Sequence, residues 1–364
     1  MRRLLSTLIA LSASSTATAQ SHVVPEAVSC ARCSIDVRAL VSMGTVEGPG
    51  SFPGRPWDVL VDGKGRYWVA LTDHFPMVFD ANGKFIQQFG KKGSGPGEFR
   101  FIGLKAALPG DSMLVNDLNR LVVVAPDLTV ARTIRTNLDV GQVKSLDWPR
   151  NNVVFAYTRS GPERASTLQQ LDLSGTEAQL TRVLLSQPFG RTPVEYAGSF
   201  RKIGAVKPQH FWAAHVNRYR LVRYDAAGAA QDSIERKPAW FPGGAGLGMG
   251  NLTRPASPQF TDMWEDEQGR VWTLSAQPRA DGSQAWRGIK VRGNEIAVAD
   301  MPPAFKVWRT MIEVIDPVKK RVIARKLLET FAFSGMPGNR IATFTEDELG
   351  IPRITIHQLT LREN

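Results

Sequence analysis

The chain alternates short apolar runs with polar turns, and the runs come in two recurrent kinds. The first is a turn followed by a run rich in Trp, Tyr, Phe and Val: GKGRYWVAL at 63–71, GDSMLVND at 110–117, NNVVFAY at 151–157, PQHFWAAH at 208–215 and EQGRVWTL at 267–274. The second ends in Asp and leads into a turn: PMVFDANG at 76–83, VVVAPDLT at 122–129, TLQQLDLSG at 167–175, LVRYDAAG at 221–228 and EVIDPVKK at 313–320. Period-2 alternation with aromatic and β-branched enrichment predicts strands in both. Asp80, Asp127, Asp172, Asp225 and Asp316 sit where a short carboxylate can bond the backbone two residues on and stabilise a turn. Outside the first 19 residues, the helix-like runs are short pieces near TDMWEDEQ at 261–268.

The strands are organised by a longer repeat. Residues 44–52 read GTVEGPGSF and residues 90–99 read GKKGSGPGEF, sharing Gly, Gly-Pro-Gly and Phe at an offset of 46 to 47. The Asp positions are spaced by 47, 45 and 53 residues and then by 91. A period of that length, built from short strands and turns, predicts a β-propeller with one blade per repeat. The 91-residue gap is read as one blade with an excursion at 275–308 between its second and third strands, in which RGIKVRG and EIAVAD are the only candidate strands. Blades are expected at roughly 56–89, 104–134, 146–185, 200–235, 260–327 and 328–361. The last contains FAFSG, NRIATFTED and PRITIHQLTL and stops after three strands; DVRALVSMG at 36–44 is expected to supply the fourth. The expected fold is therefore all-β: a six-bladed β-propeller of four-stranded antiparallel blades, its ring closed by an N-terminal strand that completes the last blade. Closure of that kind removes two exposed sheet edges.

Composition agrees with a large β protein, Gly and Pro together making 55 of 364 residues. Propellers of this length run as one domain, here 36–364. Residues 1–19 read as a signal peptide: Arg2 and Arg3, the apolar LLSTLIALSA, and Ala17-Thr18-Ala19 before a cut at Gln20. That apolar run is too short to span a bilayer, and no transmembrane segment is expected later. The expected destination is export, to the periplasm or the exterior, with residues 20–35 a lead-in to the propeller.

The lead-in holds the two cysteines, Cys30 and Cys33, in SCARCS. Haem attachment would need His where Ser34 stands, and a zinc site would need further ligands nearby. An oxidising exported compartment favours a local disulfide, with a redox pair as the alternative. The formal charge of +11 is dispersed, with no basic motif of a nucleic-acid module; it suits a solvated basic face or an anionic cell-envelope partner.

No catalytic signature stands out. FPGGAGLGMGNLTR at 241–254 lacks the Gly-Lys-Ser/Thr ending of a phosphate loop, and no Gly-x-Ser-x-Gly elbow occurs. His210 and His215 lie five residues apart on one strand and face opposite sides. No metal or cofactor is assigned. Candidate binding residues lie instead in the turns after each second strand: His74; Asn116, Asp117 and Arg120; Arg159; His215 and Arg218. Equivalent loops of successive blades converge on one rim, so these residues would form a ring of donors suited to a carboxylate, sugar or peptide. The same residues also fit plain exposed turns.

Gly-x-Gly-Pro-Gly-Glu-Phe, Asp-Gly-x-Gly-Arg-Tyr-Trp-Val and Phe-Asp-x-x-Gly-Lys-Phe together resemble an NHL-type repeat. The first blade, 56–99, matches well; the second, with Val115-Asn116-Asp117 and Arg120 to Val124, matches fairly; later blades are degenerate. The chain as a whole resembles exported bacterial six-bladed propellers with NHL-like repeats. The resemblance implies six four-stranded blades and a binding or scaffolding role; the rim turns place the expected protein, peptide or carbohydrate ligand at the channel mouth. Related six-bladed propellers include metal-dependent lactonases of the gluconolactonase type and amidating lyases, which set a carboxylate, an Asn and further ligands around a channel metal. No such set can be matched here residue by residue, and fold does not imply function. The expectation is a non-catalytic binding propeller; the rival is such a channel-centred lactonase or lyase.

Overall fold

The computed structural model describes residues 20–363 apart from 96, 139, 146–152, 159–164, 190, 193–194, 196–198, 208, 245–254 and 288–300. Six sheets follow one another along the chain; in blades 1, 2, 3 and 5 four antiparallel strands lie in sequence order from the innermost outward, and in blades 4 and 6 an N-terminal strand is added at the outer edge. The innermost strands are Pro56–Val61, Gly103–Leu108, Val140–Ser145, Arg201–Val206, Gln259–Glu265 and Phe331–Met336. The run TDMWEDEQ, expected to be partly helical, contributes Thr261–Glu265 to the innermost strand of blade 5. Met263 and Trp264 are buried there between blades, and that burial decides the local conformation.

Ring closure takes the expected form. Strand Cys33–Met43 pairs antiparallel with Pro352–Glu363 and is the outermost strand of blade 6. The long gap is one blade: Val271–Pro278 pairs directly with Trp308–Asp316, and 279–307 is an excursion between them. The strands expected within 288–300 lie outside the described residues.

The lead-in does more than reach blade 6. Gln20–Val23 adds a fifth, parallel strand to the outer edge of blade 4, paired with 232–235. Val28 then bridges Val322 on the outer strand of blade 5, and Ser29 donates to the Val322 carbonyl from both its amide and its hydroxyl, each at 2.8 Å. A Cys30–Cys33 disulfide follows, and the chain enters blade 6. Residues 20–43 therefore strap three consecutive blades together, a role that nothing in their own pattern announces.

Turns are fixed by aspartates. Asp80 Oδ1 accepts from the amides of Asn82 and Lys84, and Asp225 Oδ1 accepts from those of Ala227 and Ala229, all at 2.9 Å. Asp127, Asp172 and Asp316 each accept from the amide two residues on. Between blades the core is apolar, with Trp68, Trp212, Trp272 and Trp308 fully enclosed. Such side chains bury the largest apolar areas and dominate the packing of one blade on the next.

Candidate functional site

Six innermost strands side by side leave a central channel, and the channel opens as a cavity of ≈ 1870 Å³. Its wall has an unusual local cause. Every innermost strand slips register against its second strand, with the extra residue or residues at Trp57, Lys105, 141–142, 204–205, Thr261 and Phe333. A β-bulge leaves a residue out of the ladder and re-aims its side chain. Trp57, Lys105, Thr261 and Phe333 all line the cavity. One level of the lumen is thus set by a single backbone irregularity repeated around the ring.

Directly after two of these bulges come Asp58 and Asp262, which also line the cavity. Asp58 Oδ1 accepts from Ser334 Oγ at 2.5 Å and from the Val59 amide at 2.9 Å. Asp262 accepts from the amides of Met263 at 2.8 Å and Gly335 at 2.9 Å. These bonds tie blades 1, 5 and 6 at the lumen surface and leave the carboxylates engaged with the protein itself.

The mouth beside the turns after the second strands carries the rest of the site. The blade 5 excursion arches over blade 6 towards blade 1. Phe305 packs on Phe344 with ring centroids 5.4 Å apart, Lys306 lies 3.5 Å from Glu346, and Arg55 of blade 1 donates to the Met301 carbonyl. Met301, Pro302, Pro303 and Ala304 wall the cavity on that side. Trp57 keeps 44% and Phe101 49% of its surface exposed, although both line the cavity.

Of the residues expected at the rim, His74 and Asn116 line the cavity. The His74 ring lies over Gly54, where a Cβ would come within 2.7 Å of Cδ2. Asn116 Oδ1 is buried without a hydrogen-bond partner, and a Cβ on Gly103 would come within 2.4 Å of it. Asp117 and Arg120 are brought together, but with each other. Arg120 donates to Asp117 Oδ2 from Nε at 2.9 Å and from Nη2 at 2.7 Å, and Nη2 also reaches the Glu98 carbonyl. The other Asp117 oxygen accepts from the amides of Arg100 and Phe101, at 3.2 and 3.0 Å. The pair therefore positions the segment carrying Phe101, between strands Glu98–Phe99 and Gly103–Leu108. His215 is buried in blade 4, its backbone paired with Arg201, and Arg218 is exposed on the following turn; neither is on the cavity wall. Arg159 lies outside the described residues.

Trp57, Lys105, Thr261 and Phe333 went unnoticed in the sequence because a bulge leaves no periodicity signal. Their shared signal is position alone, each lying a few residues into a first strand. Among the described residues no three His, Cys, Asp or Glu side chains are grouped to hold a metal ion.

The fold defines a six-bladed β-propeller, and comparison with known proteins agrees. A family model described as a 6-bladed beta-propeller, DUF5128, matches residues 62–167, from the first turn of blade 1 into blade 3. A Bacteroides vulgatus protein of the DUF4221 family has a crystal structure similar to this chain, with a TM-score of 0.62 at 11% identity, over 91% of this chain and 99% of that one. A Bacteroides fragilis protein, provisionally described as exported, matches with a TM-score of 0.49 at 10% identity, over 94% of this chain and 100% of that one. No curated protein matches the chain. No described helix is long and apolar enough to cross a membrane.

Proposed function

We propose that this chain is an exported, NHL-like propeller that acts by binding, holding a ligand or a partner's protruding segment at the channel mouth without transforming it. The observation that carries the reading is the cavity of ≈ 1870 Å³, lined by residues of the excursion and by the half-exposed Trp57 and Phe101. Solvent-exposed aromatic surface inside a concavity, with a few polar groups converging on it, is the physical mark of a binding site. His74 and Asn116 supply polar groups at the rim, and the rigid ring pre-organises them. The charged start at Arg2 and Arg3, the apolar LLSTLIALSA and the small-residue Ala17-Thr18-Ala19 support export.

A thermal-shift screen of peptides, oligosaccharides and small metabolites against the full chain tests the binding role. Hits are then measured by calorimetry with Thr261→Trp, which fills the lumen. The expected outcome is at least one ligand whose affinity falls tenfold or more in the filled variant at unchanged melting temperature. Ligands that bind the filled variant equally well would place the site elsewhere.

A further inference from the structure

We propose that the Cys30–Cys33 disulfide is a thiol-exchange site, reduced by a small anionic thiol of the glutathione class in a surface cleft while the propeller stays folded. The site is separate from the channel mouth. Its cleft, of ≈ 460 Å³, is lined by both cysteines, by the blade 5 turns at 268–270 and 316–321, and by Glu363 of blade 6. Both cysteines are half-buried, so the pair packs on the core without being sealed in it. The fold holds this segment without the bond. The Cys33 amide already donates to the Cys30 carbonyl at 3.3 Å and closes the turn. On one side Ser29 is anchored to the Val322 carbonyl, and on the other Cys33 opens the strand that pairs with 352–363. A disulfide that closes so short a loop removes little chain entropy. Held from both sides and open to a cleft, the bond is placed for exchange rather than for support.

Exchange runs through thiolates, which electropositive surroundings favour. The carboxylates lining the cleft are Asp316 and Glu363. Asp316 lies 3.7 Å from Arg321, and Glu363 lies 2.7 Å from Arg270, which is also held by the buried Asp266. Lys319 on the cleft wall and Arg32 inside the disulfide loop are exposed and pair with no described carboxylate. These two cations are left to attract an anionic thiol and to stabilise the departing cysteine. The small thiolate attacks one Sγ and forms a mixed disulfide; the Cys30–Cys33 bond breaks, and its electron pair leaves on the other Sγ. A second small thiolate attacks the sulfur of the first and frees the remaining cysteine. Two small thiols become one small disulfide, and the protein takes up two electrons and two protons.

Reduction of the folded full chain by glutathione, followed by alkylation and intact-mass analysis, tests this. The rate is expected to rise linearly with glutathione concentration, and the reduced chain is expected to keep a cooperative melt. Arg32→Glu combined with Lys319→Glu should slow glutathione by about tenfold at low salt, and should leave the uncharged thiol 2-mercaptoethanol unaffected. Arg38→Glu, further along the same strand and outside the cleft, should change neither rate. A disulfide that resists glutathione overturns the inference, as does a rate that levels off with glutathione concentration, because unfolding would then limit it. Loss of the cooperative melt on reduction also overturns it, by making the bond structural. Unchanged glutathione rates in the doubly reversed variant, or equal slowing by Arg38→Glu, overturn the anionic class of thiol.

Discussion

Blades 1 and 5 hold their central tryptophan from within, whereas blade 4 holds its own from next door. In blade 1, Asp62 Oδ2 accepts from Arg66 Nε at 2.7 Å and from the Trp68 indole at 2.9 Å, while Oδ1 caps the turn amides of Lys64 and Arg66. Blade 5 repeats this with Asp266, Arg270 and Trp272 at the same 2.7 and 2.9 Å. Blade 4 has Val206 where the Asp would stand six residues before Trp212. Its indole instead donates at 2.9 Å to Glu265 of blade 5, which also meets His210 Nε2 at 2.7 Å. The need is the same in all three, since a buried indole N–H requires an acceptor. Where the repeat has degenerated, the acceptor comes from the next blade, and the loss of an internal bond becomes a bond between neighbouring blades.

Blades 4 and 5 are tied elsewhere in the same manner. Glu313, fully buried in blade 5, accepts from Tyr219 Oη at 2.5 Å and from Arg236, both of blade 4, and from Arg325 Nε at 2.7 Å. Burial, reinforced by the Glu313 charge, pushes the Tyr219 phenol well above its ordinary value, so it stays a donor. Lys320 reaches Asp232, and the Gln20–Val23 strand covers the same boundary from outside.

The largest expected effect comes from removing all outside support at once. Deleting residues 20–43 takes away the fifth strand of blade 4, the bridge to blade 5 and the outer strand of blade 6, and it bares sheet edges. Aggregation or loss of a single cooperative melt is expected in calorimetry; an unchanged melt would show that the ring closes without its strap.

Asp266→Ala comes next. It leaves the Trp272 indole unbonded and Arg270 without its buried partner, and it should cost about 3 kcal/mol, the scale for breaking a buried pair. Chemical denaturation measures it, and Asp62→Ala should match it within about 1 kcal/mol if the two turns are energetic as well as geometric copies.

A smaller loss is expected at the trans-blade acceptor. Glu265→Ala should cost about 2 kcal/mol, and Glu265→Gln, which keeps an acceptor for Trp212, about half that. If blade 4 truly depends on its neighbour, Glu265→Ala should also speed hydrogen exchange in 210–215 more than in 67–71. Equal exchange would reduce the Glu265 contact to a local one.

The smallest effect contrasts two histidines. His210 faces a carboxylate, whereas His357 in blade 6 lies beside the Thr343 hydroxyl at 2.9 Å, and burial lowers its pKa below the ordinary 6.5. The unfolded chain then binds that proton more readily than the folded one, so stability is full above about pH 6.5 and declines as pH falls towards the folded value. His357→Gln should flatten this decline in melts recorded between pH 7.5 and 5; an identical slope would assign it to other groups.

The sequence by itself determined the blade count, the strand order, the excursion in blade 5 and the clasp at 36–44. All follow from local alternation, aspartate turns and a period near 46 residues, which are written in consecutive residues. It also placed His74 and Asn116 at the rim, because the turn after each second strand has a fixed place in any blade. Only the tertiary structure decided what those rim residues do. Asp117 and Arg120 spend their charges on each other because the chain brings the Glu98 carbonyl and the Phe101 amide to them, which spacing cannot show. Trp57 and Lys105 reach the lumen through bulges, and Glu265 reaches Trp212 across 53 residues. Periodicity records which face a strand buries; it carries no information about which distant residue will stand opposite once the ring has closed.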